Sequence, residues 1–217
     1  MNDRIDLYTT AHVANLLDKL RAGDAGSIQA LLEASMRRLQ VLAKRISHNI
    51  PQVKRWEQTD DLVQNSMIRI WKALDKHRPA TPLDYYRLAS TIIRRELIDL
   101  SRHYYGAEGL GANQARTSAP MDSQYVSPVE NKFDQTHEPS NLASWTEFHS
   151  YIDSLDDEQR SLFDLLWYQD LTLTEAAEIL GSSERTIRRR WKLARVALYE
   201  AIVKPGGEAI EADRDDA

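Results

Sequence analysis

Between Ser183 and Tyr199 the chain places six basic side chains, Arg185, Arg188, Arg189, Arg190, Lys192 and Arg195, against the single acid Glu184. At helical spacing Ile187, Trp191, Ala194 and Leu198 fall on one side of this stretch, and Arg185, Arg188, Arg189 and Lys192 fall on the other. Arginine offers two parallel donors to a guanine edge, and each of these cations neutralises phosphate with release of counterions. Glu184 has the chemistry to accept from a cytosine amino group, and Ser183 to cap the helix beneath it. A charge run is often no more than a solvated helix face. Here nearly all the charges share one sign, and the implied chemistry is recognition of duplex DNA through the major groove by Ser183, Glu184, Arg185, Arg188, Arg189 and Lys192.

Such a helix must be held by a partner, and the residues before it supply one. In "TLTEAAEILGSSERTIRRRW", Thr172 and Glu175 have the Thr-x-x-Glu spacing of a capping box and open a first helix. Ala177 is small enough for close helix approach, Gly181 suits a left-handed turn, and Ile187 locks the second helix onto the first. This is the spacing of a helix-turn-helix. Arg190 lies nearer the packed side, which suits a structural role.

Two further constellations lie upstream. In "TPLDYYRLASTIIRRELIDLSRHYY" the basic residues Arg94, Arg95, Arg102 and His103 accompany Tyr85, Tyr86, Tyr104 and Tyr105. Bases stack on aromatic rings and cations neutralise the backbone, so the mixture suits single-stranded DNA. Aromatics at helical spacing serve a core equally well, and of the adjacent Tyr85 and Tyr86 one is expected to face inward. In "DDLVQNSMIRIWKALDKH" the residues Leu62, Val63, Met67, Ile70, Trp71 and Leu74 form an apolar side, whereas Asp61, Gln64, Asn65, Ile68 and Arg69 lie mostly off it. An isoleucine among exposed polar residues suits a protein interface. Asp60 and Asp61 read as residues of the helix start, where a carboxylate favours the helix dipole.

The elements behind these residues read as helices throughout, and no segment alternates as a strand would. The expected fold is all-α, two small helical domains joined by a flexible linker, the second a helix-turn-helix. The first domain spans residues 1–105. Within it "VANLLDKLRAGDAGSIQALLEASMRRLQVLAKRI" forms two helices about a Gly-Asp-Ala-Gly turn, and Thr81, Pro82 and Asp84 start another sharply. Residues 106–141, rich in Gly, Pro, Ser, Asn and Gln, form the linker. The second domain spans 142–204, with one of its helices capped at Ser154 and Asp157 three residues on, and 205–217 is an acidic tail.

With 217 residues, 42% of them hydrophobic, each domain has enough apolar material for a core. The net charge is -5, and from Asp153 to Glu178 eight acids face Arg160 alone. Nucleic-acid binding needs a basic face and not a basic total, so the overall sign does not exclude it. The absence of cysteine removes disulfides, thiolate metal sites and cysteine nucleophiles. The six histidines are scattered, with no His-x-x-x-His pair, phosphate loop or nucleophile elbow, so no catalytic residue, metal site or cofactor is expected. The N-terminus lacks a signal-peptide pattern and no apolar run is long enough for a bilayer, which predicts a cytoplasmic protein without membrane insertion.

Taken in order, these segments resemble the bacterial RNA polymerase sigma factors of the extracytoplasmic-function (ECF) type. "LRAGDAGSIQALLEASMRRLQVLAKRI" resembles their opening helices, and "DDLVQNSMIRIWKAL" the helix that binds the clamp of the largest polymerase subunit. "IIRRELIDLSRHYYG" resembles the segments that melt and read the minus-ten promoter element, and the helix-turn-helix the part that reads the minus-thirty-five element. The resemblance implies core RNA polymerase as partner of Asp61, Gln64, Asn65, Ile68 and Arg69. It implies promoter DNA as partner of Arg94, Arg95, Arg102, His103 and the residues of the basic helix. An anti-sigma factor is a further partner the family often has. Asn65 stands where the family usually has glutamate, and Arg94-Arg95 where it commonly has Arg-Asn. The alternative is a stand-alone helix-turn-helix repressor or activator, binding a palindrome as a dimer.

Overall fold

The computed structural model describes residues 9–49, 56–105 and 142–203; the linker and the acidic tail lie outside them. Every element in these residues is helical. The first half of the chain holds α1 (Thr10–Arg21), α2 (Gly26–Asn49), α3 (Trp56–Lys76) and α4 (Pro82–Tyr105). The second half holds α5 (Leu142–Ser154), α6 (Asp157–Leu162) continuing directly into a π-helical segment (Phe163–Tyr168), α7 (Leu173–Ile179) and α8 (Glu184–Val203).

Local chemistry explains most of the boundaries. Gly23 takes a φ of +92°, which lets α1 turn into α2 as the Gly-Asp-Ala-Gly sequence predicts. Thr81 caps α4 through a 3.1 Å bond from the Asp84 amide, and the Asp84 carboxylate accepts in return from the Thr81 amide, also at 3.1 Å. Two expectations shift. Asp156, not Ser154, caps α6, its carboxylate accepting from the Gln159 amide at 2.8 Å, while the Ser154 hydroxyl bonds back to the Tyr151 carbonyl at the end of α5. α3 begins at Trp56, so Asp60 and Asp61 lie beyond its first residues and do not start the helix.

α4 is the central element. It packs against α1, α3, α5 and the π-helical segment, and so is covered around most of its circumference. Tyr85 and Tyr86 are consequently both buried, where the sequence predicts that only one turns inward. The Tyr85 hydroxyl donates to the Leu31 carbonyl at 2.7 Å and pairs with the Ser35 hydroxyl, which ties α4 to α2. Burial pushes the Tyr85 phenol above its ordinary value.

The two halves share one continuous apolar core, from Val13, Leu17, Leu31 and Leu39 through Ile93 and Leu97 to Phe148, Trp167, Ile187 and Trp191. At its centre His149 is fully buried among the rings of Phe148, Trp167 and Tyr168, with Nδ1 2.6 Å from the Tyr168 hydroxyl. Burial, reinforced by the nearby Arg94 charge, holds the imidazole pKa well below its ordinary value. The folded state thus keeps His149 neutral where the unfolded chain protonates it, and the stability it contributes is lost as pH falls below the ordinary histidine value. Asp164, pushed up to about 6 by burial against the pull of Arg94, contributes with the opposite sign.

A His149→Gln variant isolates the first effect, because Asp164 is common to both proteins. Urea unfolding between about pH 7 and pH 5 is expected to show the variant gaining on wild type as pH drops, by up to about 1.4 kcal/mol per pH unit. A pH-independent difference would remove His149 from the linkage.

Candidate nucleic-acid interface

The helix-turn-helix is built as its sequence predicts. Thr172 accepts from the Glu175 amide at 3.2 Å while Glu175 accepts from the Thr172 amide at 2.7 Å, so both halves of the capping box are made. Gly181 turns the chain with a φ of +58°, and the Ser183 hydroxyl accepts from the Thr186 amide at 3.2 Å to start α8. Ile187, Trp191, Ala194 and Leu198 are all buried, with the Trp191 ring 4.9 Å from that of Phe163.

With that stripe fixed, Arg185, Arg188, Arg189 and Lys192 are all exposed on the opposite side of α8. Glu184 is engaged within the motif. Its carboxylate accepts from the Thr174 hydroxyl at 2.9 Å and from Arg188 at 2.6 Å, so it links the start of α7 to the start of α8. Arg190 pairs with Glu158 of α6, which gives it the structural role its position on the wheel suggests.

On α3, Asp61, Gln64, Asn65, Ile68 and Arg69 are all exposed. Arg69 is also engaged, pairing with Glu96 and lying 3.7 Å from Asp99, both on α4. The expected apolar side of α3 needs one correction. Leu62, Ile70 and Leu74 are buried and Val63 and Met67 partly so, but Trp71 is 49% exposed beside the 45% exposed Ile68. Spacing alone puts Trp71 next to the stripe; the packing of α2 and α4 against α3 leaves it outside.

α4 divides its cations. Arg95 and Arg102 are exposed, and the His103 side chain lies outside the described residues. Arg94, expected to face DNA, is only 1% exposed. Its Nε donates to Asp153 at 2.6 Å, its Nη1 donates to Asp164 at 2.9 Å, and its guanidinium lies 5.1 Å from the centre of the Tyr168 ring. Burial works against the charge, but Tyr168, Asp164 and Asp153 together outweigh it and raise the Arg94 pKa. Every one of these partners comes from the second half of the chain. In this arrangement Arg94 has no surface to offer a phosphate.

Among the described residues no group of three or more acidic or histidine side chains is placed to hold a metal ion, and no helix is long and apolar enough to cross a membrane.

An all-helical chain ending in a capped helix-turn-helix with one basic face has the build of a transcription factor. The family model described as ECF sigma factor matches residues 10–203, and the chain belongs to that family. Its members direct RNA polymerase to promoters in transcription initiation and perform no catalysis of their own. No curated protein matches the sequence.

The turn glycine offers a direct check of the motif. A Cβ at Gly181 meets nothing within 4 Å, so the cost of Gly181→Ala is purely conformational. Urea unfolding is expected to register a loss of about 1–2 kcal/mol, the penalty of a left-handed alanine.

Proposed function

We propose that the chain binds core RNA polymerase through the exposed face of α3, engages the minus-ten element through α4, and reads the minus-thirty-five element through α8. Asp61, Gln64, Asn65, Ile68 and Arg69 supply the polymerase-binding face, with Ile68 as its apolar centre and the polar residues as its rim. Arg95 and Arg102, together with His103, serve the melted strand, while Arg94, closed off by Asp153 and Asp164, holds α4 to the second half of the chain. Arg185, Arg188, Arg189 and Lys192 face the major groove, with Ser183 and Glu184 at the helix start. Residues 1–105 and 142–204 act as the two DNA-engaging domains, and 106–141 tethers them.

The observation that carries this reading is the one-sided α8. Four cations are exposed together on a helix whose opposite stripe is fully committed to the core, so the helix is oriented as a rigid unit with its charge outward. Glu184 then has a second task. By holding Arg188 it limits the directions in which that guanidinium can reach, which favours one base register over free sampling of phosphates.

Two measurements test the reading. On size-exclusion chromatography the wild-type protein is expected to co-elute with core bacterial RNA polymerase, and an Asp61→Ala/Gln64→Ala/Asn65→Ala variant of unchanged helicity to elute apart. Failure of both to co-elute would point to a stand-alone DNA-binding regulator. For the assembled holoenzyme on promoter duplex, replacing Arg188, Arg189 and Lys192 by alanine is expected to flatten the plot of log affinity against log salt, by about 0.9 for each phosphate that is no longer neutralised. An unchanged slope would take α8 away from the DNA.

A further inference from the structure

Arg185, Arg188, Arg189 and Lys192 stand exposed on α8, and among the described residues Arg188 is the one of the four with a side-chain partner. That partner is Glu184, one turn earlier, whose Oε1 accepts from Arg188 Nη2 at 2.6 Å. The other carboxylate oxygen, Oε2, accepts from the Thr174 hydroxyl at 2.9 Å. Thr174 belongs to α7, so the bonds from Thr174 through Glu184 to Arg188 join the two helices of the motif on the far side of the turn at Gly181. The starting point of this relay is fixed by the cap. Thr172 and Glu175 bond to one another and set where α7 begins, and Thr174, exposed between them, directs its hydroxyl to α8 instead.

An arginine on a flexible stem meets phosphates and base edges alike, and it distinguishes a base only when its planar fork arrives in one orientation. Glu184 engages one nitrogen of the guanidinium and leaves donors enough for the bidentate bond to guanine O6 and N7. An exposed pair four residues apart on one helix is by itself a weak restraint, screened by salt. The Thr174 hydroxyl adds a second restraint from a separate helix, and β-branching limits the rotamers of the residue that supplies it. Both oxygens of Glu184 are bonded inside the motif, so its carboxylate is engaged in aiming an arginine rather than in accepting from a cytosine amino group. We propose that Thr174 is a specificity-determining residue of the helix-turn-helix. Acting through Glu184, it aims Arg188 at a guanine and sets the preference at one base pair of the minus-thirty-five element, without touching the DNA. The proposal rests on the reading of that element by α8. Thr174 and Glu184 are positioning residues, and Arg188 makes the contact.

Holoenzyme assembled from core bacterial RNA polymerase and the full chain can select from a pool of random-sequence duplexes, and base frequencies in the enriched sites then report each contact. Wild type is compared with Arg188→Ala, Thr174→Val and Thr174→Ser. Valine keeps the branched shape of threonine at an exposed position and removes the donor, whereas serine retains the donor. Arg188→Ala is expected to lower guanine discrimination about tenfold at one base pair, which identifies its contact. Thr174→Val is expected to lower it about threefold at that same base pair and at no other, and Thr174→Ser to keep the wild-type preference. Unaltered preference in Thr174→Val would overturn the proposal, as would a loss of affinity shared equally by all sequences, the result of removing a simple phosphate contact. A lost cytosine preference at a different base pair would return Glu184 to reading a base directly and overturn it as well. If Arg188→Ala itself leaves every preference intact, the reading of the element by α8 fails, and the proposal with it.

Discussion

The guanidinium of Arg94 is enclosed between Asp153 of α5 and Asp164 of the π-helical segment, and the other polar bonds from α4 to the second half are arrayed on either side of it. Taking Arg94 and Asp164 out of water costs several kcal/mol for each ion, while Asp153 stays half exposed, and the cost is offset only where geometry and hydrogen bonding are complete. Here both carboxylates bond directly to the guanidinium and an aromatic face lies against it. Removing Arg94 leaves the buried Asp164 without its partner, a loss of about 3–5 kcal/mol. The placement of α5 and of the π-helical segment against α4 therefore depends on one ionic cluster. α8 follows from them, since the Phe163 ring meets that of Trp191 edge to face and Glu158 pairs with Arg190.

Basic residues of one kind thus perform two kinds of work. On α8 they project from a helix whose other side is spent on packing, and they remain available to a partner. On α4 Arg94 is drawn inward to two aspartates, and on α3 the exposed Arg69 is tied to Glu96 and Asp99 of α4. An arginine that binds a carboxylate has the geometry to bind a phosphate. Its allegiance depends on which anion is nearer, and so on how the halves are disposed.

Much of this is legible in the sequence because it is local. The capping box at Thr172, the left-handed Gly181, the cap at Thr81 and the stripe of α8 are each fixed by residues within one or two turns of one another, where spacing and side-chain chemistry suffice. The departures share a different cause. Spacing within their own helices misplaces Tyr85 and Tyr86, Arg94 and Trp71, because the exposure of each is decided by what a distant segment brings alongside. α4 touches elements on nearly all sides, so residues off its apolar stripe are buried as well, whereas among the described residues no element covers Trp71 of α3, which is 49% exposed. The π-helical segment has no signature either, because the residues from Phe163 to Tyr168 read as a continuous apolar run with one acid inside it. The family resemblance, carried by the order of several motifs, agrees with the family model over residues 10–203.

The π-helical segment also makes the relation between the halves a matter of counting. A π turn holds one residue more than an α turn, so it is equivalent to a single insertion absorbed within a helix. Rewinding the same six residues from Phe163 to Tyr168 into α geometry, with none deleted, would rotate everything beyond them by about 100° about the helix axis. Such a rewinding would move Tyr168 off Arg94 and swing α7 and α8 to a new azimuth, with every side chain of the helix-turn-helix unchanged. The compass bearing of the basic helix is therefore written in the winding of a segment that carries none of its charges.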